Sequence, residues 1–353
     1  MVAGVGNGKP VKMDEQIEDL EVFIKQAAGA RQVKIVRREL MSGGAIQENW
    51  LVDIQVSGGK YDGLLEAVIR KDAPSNLEYS RSRQQEFELL KIAFATGVTV
   101  PEPLWFFENN GAGGKTEGGS FVIMRRVKGV AAGFRLVKDE TVQTKSRDLT
   151  RSLGRELAKI HSIDLENPAL AFLEGSDESP AALAIGRYQA YLDSYHTPRP
   201  VLYWAIVWLK EFQPETAEIV LCHNDFRTGN YMVENGSVTG VLDWEFTNWG
   251  DRHCDIGWFC APCWRFGAVG REAGGIGSRE DFYKGYEQEF GKPIDRSIIR
   301  YWEVMATLRW AVIALQQGER HTSGNEISLE LALTAHIVPE LEMDILRLTG
   351  GVS

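Results

Sequence analysis

The chain has 353 residues, 44% of them hydrophobic, enough for a large core and, at roughly 100–200 residues per domain, for two domains or lobes. A formal net charge of −10, with no long Lys/Arg run among 39 basic and 49 acidic residues, argues against a nucleic-acid partner. Four cysteines are too few for a disulfide framework, the opening MVAGVGNGKPVKMDEQ lacks a signal-peptide core, and no stretch nears the ~18 apolar residues of a membrane span, so a reduced, soluble, cytoplasmic protein without a membrane partner is expected.

Residues 1–13, polar and glycine-rich, are expected to be disordered. The run DEQIEDLEVFIKQ then places Ile17, Leu20, Phe23 and Ile24 on one helical face, with Asp14 as N-cap. Three segments of strand character follow, QVKIVRREL, NWLVDIQV and GLLEAVIR, separated by MSGGAIQE and SGGKYD. NLEYSRSRQQEFELLKIAFATG has helical spacing through Phe87, Leu90 and Ile92 and a stop at Gly97. LWFFEN and SFVIMRRV read as two more strands around the flexible loop NGAGGKTEGG. Past Gly129 the texture turns helical in DLTRSLGRELAKIHSI, AALAIGRYQAYLDSY and VLYWAIVWLKEF; a short β segment at 217–245 interrupts it, and long helices run to the C-terminus. The pattern predicts an α+β chain with a small N-lobe at 14–126, built on an antiparallel five-stranded sheet, and a larger, mainly helical C-lobe at 127–353.

Between two apolar runs, LCHNDFRTGNYMV holds His223, Asp225 and Asn230 within eight residues. They match His-x-Asp-x4-Asn, the loop of kinase-type phosphoryl transfer, in which a carboxylate orients the acceptor hydroxyl and takes its proton while an amide oxygen reaches Mg²⁺. Asp225 is thus the candidate catalytic base and Asn230 a metal ligand. YMVEN and SVTGVLDWE form a hairpin around Asn235-Gly236 and deliver Asp243, at the end of an apolar strand, as the second metal ligand. Mg²⁺ commonly keeps waters and phosphate oxygens, so two protein ligands suffice. The competing reading of Asp225 and Asn230 is an Asx-type loop that only satisfies backbone groups.

The stretch HNDFRTGNYMVENGSVTGVLDWEFTNWGDRHCDIGW resembles the core signature of the aminoglycoside phosphotransferase and choline kinase-like superfamily. It is most similar to the phosphotransferase-enzyme branch that includes kinase-like domains fused to some acyl-CoA dehydrogenases. The resemblance extends from about residue 40 to about residue 320 and implies a protein kinase-like two-lobed fold, ATP and Mg²⁺ as cofactors, and a small-molecule hydroxyl as acceptor. That acceptor would be aminoglycoside-like, an amino alcohol, or a hydroxylated metabolite or acyl derivative; a monomer or homodimer is expected. The resemblance makes Asp255 a carboxylate bracing the catalytic loop, with His223 as an anchor rather than a catalyst, and leaves Glu245 either near metal and substrate or in solvent. It implies Arg70, in EAVIRK, as the cation for the phosphates, with Lys71 on the opposite strand face as fallback, and Glu86 as its carboxylate partner, with Glu88 as rival. Ser42, Gly43 and Asn49 of MSGGAIQENW are implied as a short phosphate cover, and the backbone of Met124, Arg125, Arg126 and Val127 as the adenine-binding hinge.

Cys260 and Cys263 form a Cys-x-x-Cys but sit in the apolar DIGWFCAPCWRFG without a second pair, and are expected in the core rather than on zinc. Trp204, Trp208, Trp302 and Trp310 have helical spacing and are expected to pack inside, with the resemblance leaving open that some line an acceptor pocket built from C-lobe helices, while Trp264 and Arg265 lie near the braced loop. Arg309 in VMATLRWAV requires an anion, with an internal carboxylate preferred over a bound substrate. Arg227 faces either solvent or substrate. Two other functions remain: a catalytically silent nucleotide-binding scaffold, supported by Arg70 standing where a protein kinase has Lys, and a protein kinase-like enzyme, disfavoured by the absence of Ala-Pro-Glu and of an evident activation loop.

Overall fold

The computed structural model describes residues 17–41, 47–72, 80–108, 120–173, 175–176, 178–215, 218–324 and 326–350. Ser42 and Gly43, the N-terminal segment and the proposed cap Asp14 lie outside them. The chain divides into two compact units, one of Met1–Ala95 with Val100–Val127 and one of Thr96–Thr99 with Lys128–Ser353.

The first unit carries helix α1 (Ile17–Ala27), strands β1 (Gln32–Leu40), β2 (Gln47–Ser57) and β3 (Gly63–Asp72), helix α2 (Arg83–Ala95), and strands β4 (Pro103–Phe107) and β5 (Phe121–Arg125). The five strands form one antiparallel sheet in the order β1-β2-β3-β5-β4. Alternation drives it: Val52, Ile54, Val56, Leu65, Ala67 and Ile69 all bury on the face that also receives Leu20 and Ile24 of α1. Helix α2 begins at Arg83, where the apolar spacing predicts an earlier start. Ser82 sets the boundary, its hydroxyl accepting from Gln85 N while its own N–H donates to Gln85 Oε1, a reciprocal cap. Gly97, with φ +81°, stops the helix as expected.

The second unit holds two short helices, α3 (Gly133–Leu136) and α4 (Glu140–Thr144), then α5 (Ser146–His161), α6 (Pro180–Ser194) and α7 (Pro200–Glu211). Strands β6 (Ile219–Cys222), β7 (Tyr231–Glu234), β8 (Ser237–Val241) and β9 (Asn248–Asp251) follow, then helices α8 (Arg252–Cys260), α9 (Arg279–Phe290), α10 (Ile299–Thr322), α11 (Leu329–Ala335) and α12 (Val338–Leu348). β7 and β8 form the hairpin turning at Asn235-Gly236, both with positive φ. β9 lies outside the expected β segment and pairs antiparallel with β6. The core joins α6, α7, α10 and α12 around Leu202, Ile206, Leu308 and Ile345. Trp302 is buried there, with Trp208 and Trp310 partly buried, but Trp204 is exposed on α7 and donates its indole N–H to Thr349. No helix among the described residues is long and apolar enough to cross a membrane.

Glycines let α5 and α9 cross backbone to backbone: a Cβ on Gly154 would strike Phe282 O, and one on Gly285 would strike Arg151 O. Gly285→Ala is therefore expected to cost about 3 kcal/mol by overpacking, against roughly 1 kcal/mol regained in helix propensity. A urea midpoint unchanged by the substitution would show that the crossing yields freely.

Candidate active site

The loop after β6 is built on one buried carboxylate. Asp255, in the first turn of α8, is 0% exposed; its Oδ2 accepts from His223 N (2.7 Å) and His161 Nε2 (3.1 Å), and its Oδ1 from Asn224 N (2.8 Å). Burial opposes its ionisation, but the hydrogen bonds from His161 and His223 outweigh it and hold the carboxyl below its usual range. His161 is fixed in turn by Tyr286 Oη at 2.8 Å. His223 contributes no free nitrogen: Nε2 meets Leu242 O at 3.0 Å and Nδ1 accepts from Asp225 N at 3.2 Å. Burial pushes its pKa down, so the neutral ring with its proton on Nε2 fits both partners.

These anchors set Asp225 in place. Its Oδ1 accepts from Trp258 Nε1 (3.0 Å) and Arg227 Nε (3.2 Å), and its Oδ2 from Asn230 Nδ2. The Asn230 amide also donates to Asp225 O at 2.9 Å, which commits its NH₂ and leaves Oδ1 as the donor atom for a cation. Leu242 N donates to Asn230 O at 2.8 Å, so the residue preceding Asp243 is tied to both Asn230 and His223. The loop after β6 and the hairpin end are thus joined at Leu242, by the main chain of Asn230 and the side chain of His223. Asn224 (φ +62°) and Asp243 (φ +68°) both adopt the left-handed region, which short polar side chains tolerate best and which is found most often where function over-determines the backbone. Glu245 is buried rather than solvent-facing.

Arg227, open from sequence, turns to Asp225 and lays its guanidinium on the Trp264 ring at 4.5 Å. Gly229, at φ +119°, leaves it room, since a Cβ there would lie 2.7 Å from Arg227 Nη1. Arg309 corrects the preference for an internal carboxylate. Among the described residues its guanidinium meets the Asn224 carbonyl (2.6 Å) and the Trp258 face (4.4 Å), and no acid within ion-pair distance.

In the first unit Arg70 Nη1 pairs with Glu86 Oε1 at 2.6 Å, and Glu86 is 0% exposed. Arg83, missed in the sequence, pairs with the other oxygen of the same carboxylate. Lys71 stands over the Phe121 ring, and Glu88 pairs with Lys91 on the surface. Asn49 is directly opposite Arg70 in the β2–β3 register, and its Oδ1 is buried without a hydrogen-bond partner among the described residues. Met124 is buried in β5; Arg125 N and Arg126 N are already spent on Glu102 O and Glu66 O, so neither N–H is available for the expected hinge contact. All four cysteines are free thiols. Cys260 is buried and Cys263 partly buried against the helical core, and burial pushes the Cys260 thiol up to about 12 and that of Cys263 higher still.

Residues 38–294, well over half of the chain, match the family model described as the phosphotransferase enzyme family. The chain belongs to that family. Among curated relatives of this family member are acyl-CoA dehydrogenase family member 10 of Mus musculus (26% identity over 73% of this chain and 23% of the relative) and member 11 of Gallus gallus (28% identity, 66% and 28%). The chain therefore spans only about a quarter of their length. Solved structures with the same fold include a candidate aminoglycoside phosphotransferase of Ralstonia eutropha JMP134 (TM-score 0.72, 20% identity, 95% and 98% of the two chains). A choline/ethanolamine kinase family protein of Mesorhizobium loti follows at TM-score 0.59 and 14% identity, covering 96% and 98%. The expected phosphotransferase enzyme family and the α+β kinase-like architecture, a five-stranded antiparallel sheet with a helical unit, are thereby shown.

Proposed function

We propose that this family member transfers the γ-phosphate of ATP to a hydroxyl of a small molecule, with Asp225 as the base that receives the hydroxyl proton. The observation that carries the reading is the carboxylate of Asp225: buried, steered by three side-chain donors, and joined through Asn230 and Leu242 to Asp243. An Asx loop serving only its own backbone would not need that steering. The donor set of an amide oxygen and a carboxylate oxygen fits a hard cation, so Asn230 and Asp243 are the residues that would hold Mg²⁺. The ion would supply charge neutralisation on the phosphates. Arg70, held by Glu86, is proposed to face the phosphates with Asn49, which assigns nucleotide binding to the first unit. The protein's own share is positioning: it fixes Asp225 before the acceptor arrives. Relatives of similar fold are described with ADP and spectinomycin, and with AMP-PNP and hygromycin B, which supports a nucleotide and a polar acceptor.

The test is ADP formation by the purified protein with Mg·ATP against aminoglycosides, choline, sugars, homoserine and a hydroxyacyl-CoA. Stimulation of tenfold or more by at least one acceptor is expected. Thermal stabilisation by Mg·ATP without turnover on any of them would instead favour the silent scaffold.

A further inference from the structure

Arg309 sits within α10, flanked by buried Leu308, Ala311 and Val312, and is itself half-buried. A guanidinium withdrawn from water needs a counter-charge, yet its partners among the described residues are a neutral carbonyl and an indole face. Arg227, on the catalytic loop and 26% exposed, stands on Trp264. Trp258 and Trp264 are packed together at 5.0 Å, and Trp258 is hydrogen-bonded to Asp225. Two guanidiniums are therefore laid on adjoining indoles of one cluster, and Asp225 is bonded to one of those indoles and to Arg227.

We propose that Arg309, with Arg227, receives an anionic group of the acceptor, a carboxylate or phosphate borne by the same molecule as the reacting hydroxyl. The inference rests on the phosphotransferase reading above and narrows its acceptor to a hydroxylated anion. A planar guanidinium whose face is already held by an indole presents its edge N–H groups in the fork that carboxylate and phosphate accept. The same pair of charges repels an amino alcohol or amino sugar, a built-in discrimination against cationic acceptors. No bond is made or broken by either arginine; both act as positioning residues.

Calorimetric titration of the Mg·ADP-saturated protein with β-hydroxybutyrate, and with the diol and amino alcohol that replace its carboxylate, tests the charge preference. Glycerol phosphate against glycerol, run in parallel, separates phosphate from carboxylate. At least one anion is expected to bind tenfold or more tightly than its neutral and cationic counterparts. Arg309→Met should erase that preference, and Arg309→Lys should keep part of it. Anions that bind no tighter than their counterparts, or not at all, overturn the proposal, as does a preference that survives in Arg309→Met. Should that variant fail to fold, Arg227→Met must at least weaken the preference. Turnover that favours choline over every anion overturns this inference and leaves the phosphotransferase reading intact. An anion preference without any Asp225-dependent turnover supports the anion site and removes that reading.

Discussion

Asp225→Asn is expected to reduce acceptor-stimulated ADP formation by about 10³-fold while leaving thermal stabilisation by Mg·ATP in place, the size of loss typical when a general base is removed from an otherwise intact site. The substitution is close in shape: an amide oxygen at the Oδ1 position can still accept from Trp258 Nε1 and Arg227 Nε, while the new NH₂ loses the bond from Asn230 Nδ2, which still donates to the main-chain oxygen of residue 225. What it cannot do is take a proton. The site would then orient the acceptor hydroxyl and hold the nucleotide without a place for the proton released when the phosphorus–oxygen bond forms. The measured split is informative: kcat should fall with little change in the KM for ATP, because the proposed nucleotide contacts at Arg70 and Glu86 belong to the first unit. Acceptor-dependent turnover within a few-fold of wild type would mean that Asp225 only steers the loop and that the base lies elsewhere.

The parts of this molecule legible in sequence are those whose partners are near in the chain. Strand alternation exposed all five strands of the first unit, and the spacing of Asp225, Asn230 and Asp243 exposed the loop and hairpin because one short segment carries all three. Distant pairings stayed hidden. His161 and Asp255 are 94 residues apart, and nothing local marks a histidine in an amphipathic helix as a brace. β9 reads NWGD, without strand pattern, and is extended because β6 offers it a ladder from Ile219↔Asp251 to Cys222↔Asn248. In α7, nearly apolar on every side, spacing does not distinguish the face that packs from the face that carries exposed Trp204 and Val207. The demand of Arg309 for a counter-charge was visible; that its partners among the described residues are a neutral carbonyl and an indole face instead required the positions of Asn224 and Trp258.

Asp255→Asn should cost about 3–5 kcal/mol of stability, on the order of 10 °C in melting temperature, because it removes the charge on which the loop's hydrogen bonds converge. The carboxylate now satisfies two backbone N–H groups and one imidazole in a site closed to water. An amide offers one oxygen. Its NH₂ must then face either the main-chain N–H of Asn224, or both the main-chain N–H of His223 and the Nε2 of His161, and a buried donor left facing a donor costs about 1–3 kcal/mol. The pH dependence follows from the direction of the shift. Because the folded carboxyl lies below its ordinary value of 3.8, its contribution is complete above that pH and is lost only as pH falls through the lower folded value. The gap between wild type and variant should therefore be flat from about pH 5 to 8 and narrow below about pH 4. Activity should fall with stability, since His223 and Asn224 flank Asp225 and lose their fixed N–H directions together. A variant that melts within 2 °C of wild type, by the usual relation of a few °C per kcal/mol, would show that His161 and the indole cluster hold the loop without the carboxylate.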